Sequence, residues 1–221
     1  MLSLTIDKLE VRYPGLPVPA LDISLLAVEA GAHVALTGPS GSGKTTFINL
    51  VTGMERAGSG SVRWNDDDLA SLPEGRRDRW RAKNVGLVMQ EFHLFPGLSA
   101  EANVLLPQRL SRLGLPANIR RRGLELLERV GIDRPGQPVE TMSRGQMQRV
   151  AVARALVGNP GLIVADEPTA SLDAESGAAV AGLLLELAGE TGATLIVATH
   201  DERLTARLDR SLRLENGRLA A

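Results

Sequence analysis

The chain has 221 residues, 43% hydrophobic and 23% charged, enough apolar content to bury one substantial core and too much for a disordered tail. Lys and Arg number 25 against 26 Asp and Glu, a formal net charge of −1, which excludes the basic balance of a surface built for phosphate backbones; nucleic acid is not an expected partner. With no cysteine there is no disulfide framework or thiolate metal site, and the opening MLSLTIDKLE lacks the basic segment and apolar run of a secretory signal, so a cytoplasmic setting is expected.

In chain order, Leu2, Leu4 and Ile6, then Leu9, Val11 and Tyr13, alternate with polar neighbours, the period-two pattern of half-buried strands in an antiparallel opening. Three short apolar runs, His33–Thr37, Leu162–Asp166 and 193–198, suit strands covered on both faces and read as a parallel central sheet; 85–89 ends another strand just before Gln90. Helices are expected over 45–52, over 144–157, where Gly158-Asn159-Pro160 stops the run, and over 174–189. The stretch 91–144 has no clear strand and several proline or glycine breaks, the mark of a helical insertion. Asn216-Gly217 is the dipeptide of a type I′ hairpin turn. The longest apolar stretch, 177–185, falls far short of the ~18 residues that cross a bilayer, so any membrane role is borrowed from a partner. The expected fold is a single α/β domain over 1–221: a parallel-sheet core with an antiparallel β subdomain and an α-helical subdomain at about 91–155.

The sharpest feature is Gly38-Pro39-Ser40-Gly41-Ser42-Gly43-Lys44-Thr45, which satisfies GxxxxGK[ST] between an apolar strand and a helix, the setting of a phosphate loop. Glycine lets successive backbone N–H groups turn inward on phosphates, and the following helix adds its positive dipole end. Lys44, one of three lysines among 25 basic residues, puts a compact ammonium where the outer phosphates lie, and Thr45 offers a hydroxyl to Mg²⁺. The second acidic site is Asp166-Glu167, after four apolar strand residues. An aspartate at that strand tip can hold Mg²⁺ through water and the next glutamate can polarise an attacking water, although two acids before Pro168-Thr169 also suit a helix N-cap.

The segment Met142-Ser143-Arg144-Gly145-Gln146, with the helix running on to Leu156, resembles the LSGGQ signature of ATP-binding-cassette (ABC) ATPases. The other motifs of that family stand in order around it: Tyr13, the phosphate loop, Gln90, Asp166-Glu167, Ser171-Leu172-Asp173 and His200. On their own residues, Ser143 and Gly145 before a helix form either a plain N-cap or a second anion site. The resemblance implies the P-loop cassette fold, ATP and Mg²⁺ as ligands, and a head-to-tail pair of copies in which Ser143, Gly145 and Gln146 meet the nucleotide held by the partner's residues 38–46, Thr46 included. It further implies that Tyr13 stacks on adenine, where a plain edge-strand aromatic is the other reading. By the same resemblance Thr45, Gln90 and Asp166 are expected to arrange Mg²⁺, Glu167 to act on water, His200 to be the switch histidine and Asp173 to link the two sites. Arg144 and Met142 depart from the pattern: Arg144 either adds a cation near the partner's phosphates or crowds the approach, and the sequence leaves both open.

The resemblance also implies a separate transmembrane permease subunit that docks beside the glutamine loop. Phe92, Leu94, Phe95 and Leu98 form an apolar run there suited to a docking helix, or to a buried loop. The wording around Asn103 resembles the subgroup serving lipoprotein release, macrolide export and cell division. A soluble assembly ATPase fits every motif equally well, while a small-molecule phosphotransferase has no use for the signature. His33 and His93 are expected to be structural and Trp64 and Trp80 to pack. Arg76, Arg77, Arg79, Arg81 and Arg120 to Arg122 are expected on solvated helix faces.

Overall fold

The alternation at the start of the chain becomes two antiparallel strands, β1 (Leu4–Val11) and β2 (Leu21–Val28), in register from Leu4 opposite Val28 to Val11 opposite Leu21. The computed structural model describes residues 1–111 and 114–220, and the chain divides into two units, Met1–Arg81 with Gly192–Ala221, and Ala82–Thr191. The elements continue with β3 (His33–Thr37), α1 (Lys44–Val51), β4 (Ser59–Trp64), β5 (Asp67–Asp68) and α2 (Glu74–Asn84). The second unit then carries β6 (Val85–Val88), α3 (Ala100–Leu110), α4 (Ala117–Arg129), α5 (Arg144–Leu156), β7 (Leu162–Asp166) and α6 (Ala174–Thr191). The chain returns to the first unit for β8 (Thr194–Ala198), α7 (Glu202–Thr205), β9 (Arg210–Glu215) and β10 (Arg218–Leu219).

In the first unit one antiparallel sheet runs β2-β1-β4-β5. The pairing of β1 with β4 slips between Asp7 and Glu10, because Gly60 there takes φ +80 and a Cβ on it would lie 2.3 Å from the Lys8 carbonyl oxygen. In the same unit β3 is flanked by β8 and β9, both parallel to it, and β10 closes antiparallel on β9. Val34, Ala35 and Leu36 of β3 and Leu195 to Ala198 of β8 are buried, which is why both strands read as unbroken apolar runs rather than as alternation.

In the second unit β6 and β7 pair in parallel, Val85 opposite Leu162. Gly86 lets β6 approach α5 closely, since a Cβ would stand 2.3 Å from the Ala155 carbonyl oxygen. Of the α4 arginines expected on a solvated face, Arg120 and Arg121 are exposed, Arg120 pairing with Glu101 at 2.7 Å, whereas Arg122 is half-buried and donates to the Asn159 side-chain oxygen at 3.1 Å. In α2 one expectation is corrected: Arg77 is buried, its aliphatic stem packed against Gly53, while Arg76 and Arg79 stay exposed.

Trp64 and Trp80 both pack inside the first unit. The Trp64 indole N–H donates to the Val51 carbonyl oxygen at 2.7 Å, answering one of the carbonyls that the last turn of α1 leaves without a helical partner. Trp64→Phe leaves that carbonyl unpaired beside a small void, a loss of about 2–4 kcal/mol. The expected consequence is a fall in Tm of roughly 5–10 °C in thermal unfolding of the full chain; an unchanged Tm shows that the bond contributes nothing.

Candidate nucleotide-binding site

The first unit builds its part of the site where β3 ends. Gly38, Gly41 and Gly43 take φ +142, +76 and +105, a backbone path that residues with side chains rarely follow. A Cβ on Gly38 would sit 2.2 Å from the Leu214 carbonyl oxygen and one on Gly43 2.8 Å from that of Ala20, whereas the space beside Gly41 is open. Gly43 caps α1 with no side-chain hydrogen bond, so the first-turn N–H groups of that helix face the loop. The Lys44 ammonium folds back over the loop and donates to the carbonyl oxygens of Gly38 at 2.7 Å and Pro39 at 3.1 Å. The Ser42 hydroxyl is buried beneath the loop with no hydrogen-bond partner.

Beside the loop lies a cavity of about 470 Å³ lined by Tyr13, Leu16, Val18, Ser40, Gly41, Lys44, Thr45, Thr46 and Asn216, among others, a size that accommodates a nucleotide. The Tyr13 hydroxyl donates to the Glu55 carboxylate at 2.6 Å. Burial, and after it this carboxylate, pushes the Tyr13 phenol up, so it stays a neutral hydrogen-bonding ring at the cavity edge. His200 is exposed directly beyond β8; Ala198 pairs with Leu36, and the Thr199 N–H donates to the Leu36 carbonyl oxygen at 3.2 Å. The histidine therefore leaves the same sheet edge as the phosphate loop. His33 lies in β3, its N–H donating to Asp209 at 2.8 Å, and His93 turns a loop at φ +46.

One part of this site escaped the sequence reading. Asn216 and Gly217 take φ +49 and +78, the two positive values of a type I′ turn. That turn braces the phosphate loop: the Gly217 N–H donates to the Ser42 carbonyl oxygen at 3.0 Å, while the Gly217 carbonyl accepts from the Asp22 N–H at 2.8 Å. The hairpin was legible as a hairpin, but nothing local marks a contact between residues 42 and 217.

In the second unit, Gln90 follows β6 and Asp166 ends β7; Val88 pairs with Ala165, so both side chains start from one edge. Gln90 is exposed, and Asp166 and Glu167 are half-buried. Glu167 has φ +46, a conformation costing a side-chain-bearing residue on the order of 1–3 kcal/mol and found where geometry is held for function. Ser143 begins α5 in a reciprocal capping box, its hydroxyl accepting from the Gln146 N–H at 3.2 Å and its N–H donating to the Gln146 side chain at 2.9 Å. Gly145 lies against Ser176, whose hydroxyl a Cβ would approach at 3.3 Å. Asp173 caps α6 by accepting the Ser176 N–H at 2.9 Å, a bond that holds its carboxyl below the usual aspartate range.

The glutamine loop is stitched by Asn103, fully buried in α3, which accepts from the Phe95 N–H at 2.7 Å and donates to the carbonyl oxygens of Phe95, Leu98 and Ser99. The expected apolar run on this loop is corrected in part. Phe92 is 8% exposed and turned inward, Leu94 and Leu98 are half-buried, and Phe95, at 54%, is the large exposed apolar side chain among them.

A family profile described as ABC transporter matches residues 21–170. The lipoprotein-releasing system ATP-binding protein LolD of Pseudomonas fluorescens is 40% identical over 198 residues, which cover 89% of this chain and 86% of LolD. The uncharacterized ABC transporter ATP-binding protein YbbA of Escherichia coli is 44% identical over 199 residues, 88% of this chain and 85% of YbbA. Among solved structures, a dimeric post-hydrolysis state of the ATP-binding cassette MJ0796 bound to ADP and Pi matches with a TM-score of 0.88 at 32% identity, over 99% of this chain and 97% of that one. For cbiO1 of Clostridium perfringens, part of the ABC transporter complex cbiONQ, the TM-score is 0.86 at 29% identity, over 99% of this chain and 86% of that one. The chain belongs to the ABC transporter family, as an ATP-binding subunit that hydrolyses ATP. These likenesses favour a transporter subunit over a soluble assembly ATPase.

The brace on the phosphate loop gives a direct prediction. Gly217→Ala places a Cβ 2.7 Å from the Ala20 carbonyl oxygen at φ +78, so the turn must shift and release Ser42. ATP affinity is expected to fall about tenfold, read by titration with a fluorescent ATP analogue; wild-type affinity in this variant removes the hairpin from the site.

Proposed function

We propose that two copies of this chain pair head to tail around two ATP molecules and drive a separate permease subunit from the cytoplasmic face of a membrane, in lipoprotein release, export or force transmission. The observation that carries this reading is the pair of helix starts: a glycine-turned loop leading into α1, and the Ser143-capped start of α5. Each is suited to hold an anion, and the resemblance assigns the second to the partner's nucleotide. Among the described residues no helix is long and apolar enough to cross a membrane, so the reading gives the span to the permease. The exposed Phe95 on the glutamine loop supports docking there.

In this reading Tyr13 stacks on adenine, the amides of residues 38–46 and the Lys44 ammonium neutralise phosphate charge, and His200 donates a hydrogen bond to the γ-phosphate. The Glu167 carboxylate accepts a proton from the attacking water as the terminal phosphorus–oxygen bond breaks, and the leaving oxygen's charge stays on ADP, held by Lys44. Asp173 links the two pockets across the pair. The unpartnered Ser42 hydroxyl and the open space beside Gly41 fit a phosphate-bearing ligand. Thr45, Gln90 and Asp166 are the residues assigned to Mg²⁺, which when bound supplies charge neutralisation on the phosphate oxygens.

Glu167→Gln tests the assignment. Turnover is expected to fall by about 10² or more, with ATP-dependent dimers accumulating in size-exclusion chromatography; undiminished turnover removes Glu167 from its role. A tagged chain is expected to sediment with membranes in cells that make the permease, and exclusive recovery from the supernatant overturns the transporter placement.

A further inference from the structure

Arg144 stands where the family signature has glycine, and its side chain turns back into its own unit. It is the first residue of α5, a position where a cation meets the positive end of the helix dipole and has reason to bend away. Its guanidinium carbon lies 5.2 Å from the centroid of the Phe92 ring, and its Nε donates to the Ser171 carbonyl oxygen at 3.1 Å. Phe92 belongs to the glutamine loop, Ser171 to the loop after β7, and the Ser171 hydroxyl in turn donates to the Gln90 carbonyl oxygen at 3.4 Å. At the far end of the same helix Arg154 donates to the carbonyl oxygens of Phe92, at 2.7 Å, and His93, while Gln148 between them donates to that of Pro168 at 2.8 Å.

We propose that Arg144 is a positioning residue that fastens the glutamine loop and the Ser171 loop to the start of the signature helix, so that the three move together when the permease pushes on the glutamine loop. The face of Phe92 attracts the cation, the Ser171 carbonyl takes its N–H, and the planar guanidinium satisfies both at once in a way a lysine ammonium does only in part. Of the three ties from α5, it alone reaches both loops. The inference rests on the ATPase reading above, but the tie itself exists without nucleotide.

The test is a double-mutant cycle on the full chain with Arg144→Gly and Phe92→Leu, the latter keeping apolar bulk while removing the ring face. In nucleotide-free protein, hydrogen exchange of amides 88–98 is expected to quicken about three- to tenfold in either single variant and no further in the double. In ATP turnover, either variant is expected to lower kcat by about three- to tenfold with KM within about twofold, again without multiplying in the double, and Arg144→Lys is expected to recover at least half of the wild-type rate. Unchanged exchange at 88–98 in Arg144→Gly, effects that multiply, or a turnover loss confined to KM overturns the proposal. A wild-type chain that splits no ATP overturns the ATPase reading instead, and leaves the exchange result to judge the tie.

Discussion

Backbone N–H groups converge on a phosphate only where the chain can turn without side chains in the way, and residues 38–43 meet that condition through three glycines at positive φ. Two of those turns, at Gly38 and Gly43, are enforced from outside the loop. The Leu214 carbonyl oxygen leaves no room for a Cβ on Gly38, that of Ala20 leaves none on Gly43, and the Gly217 N–H holds the Ser42 carbonyl in place. The loop is therefore a consequence of how β9, β10 and the start of β2 surround it, and its readiness to bind anions is set before any ligand arrives.

The second unit solves a different problem with one helix. Its α5 presents a capped N-terminus and also carries Arg144, Gln148 and Arg154, whose donors end on the carbonyls of the two loops that bear Gln90 and Glu167. Loop carbonyls without a sheet or helix partner need donors, and long side chains on a rigid helix supply them with fixed geometry. The strained backbone at Glu167 persists in that setting because its neighbours on either side are held.

Local physics made much of this legible. Buried strands β3, β7 and β8 announce themselves by composition, the phosphate loop by its glycines, and the signature helix by its cap. Features that depend on distant partners did not: β4 contains Ser59-Gly60-Ser61, which looks like a loop until a bulge accommodates it, and the buried side of α2, only Arg77 and Trp80, is too sparse to show as a periodic apolar face among its arginines. The same limit applied to the site. The Asn216-Gly217 turn was visible and its grip on Ser42 was not, and nothing in the wording around Arg144 pointed to its contacts with Phe92 and Ser171.

Because the brace on Ser42 comes from Gly217, far downstream in the chain, the order of synthesis matters. A nascent chain emerging from a ribosome carries Gly38 to Thr45 long before β9 and the turn after it have been made. Until then the loop has the Ala20 carbonyl beside it but lacks the Leu214 carbonyl and the Gly217 amide, so its final shape waits until nearly all of the polypeptide described here is available to fold around it.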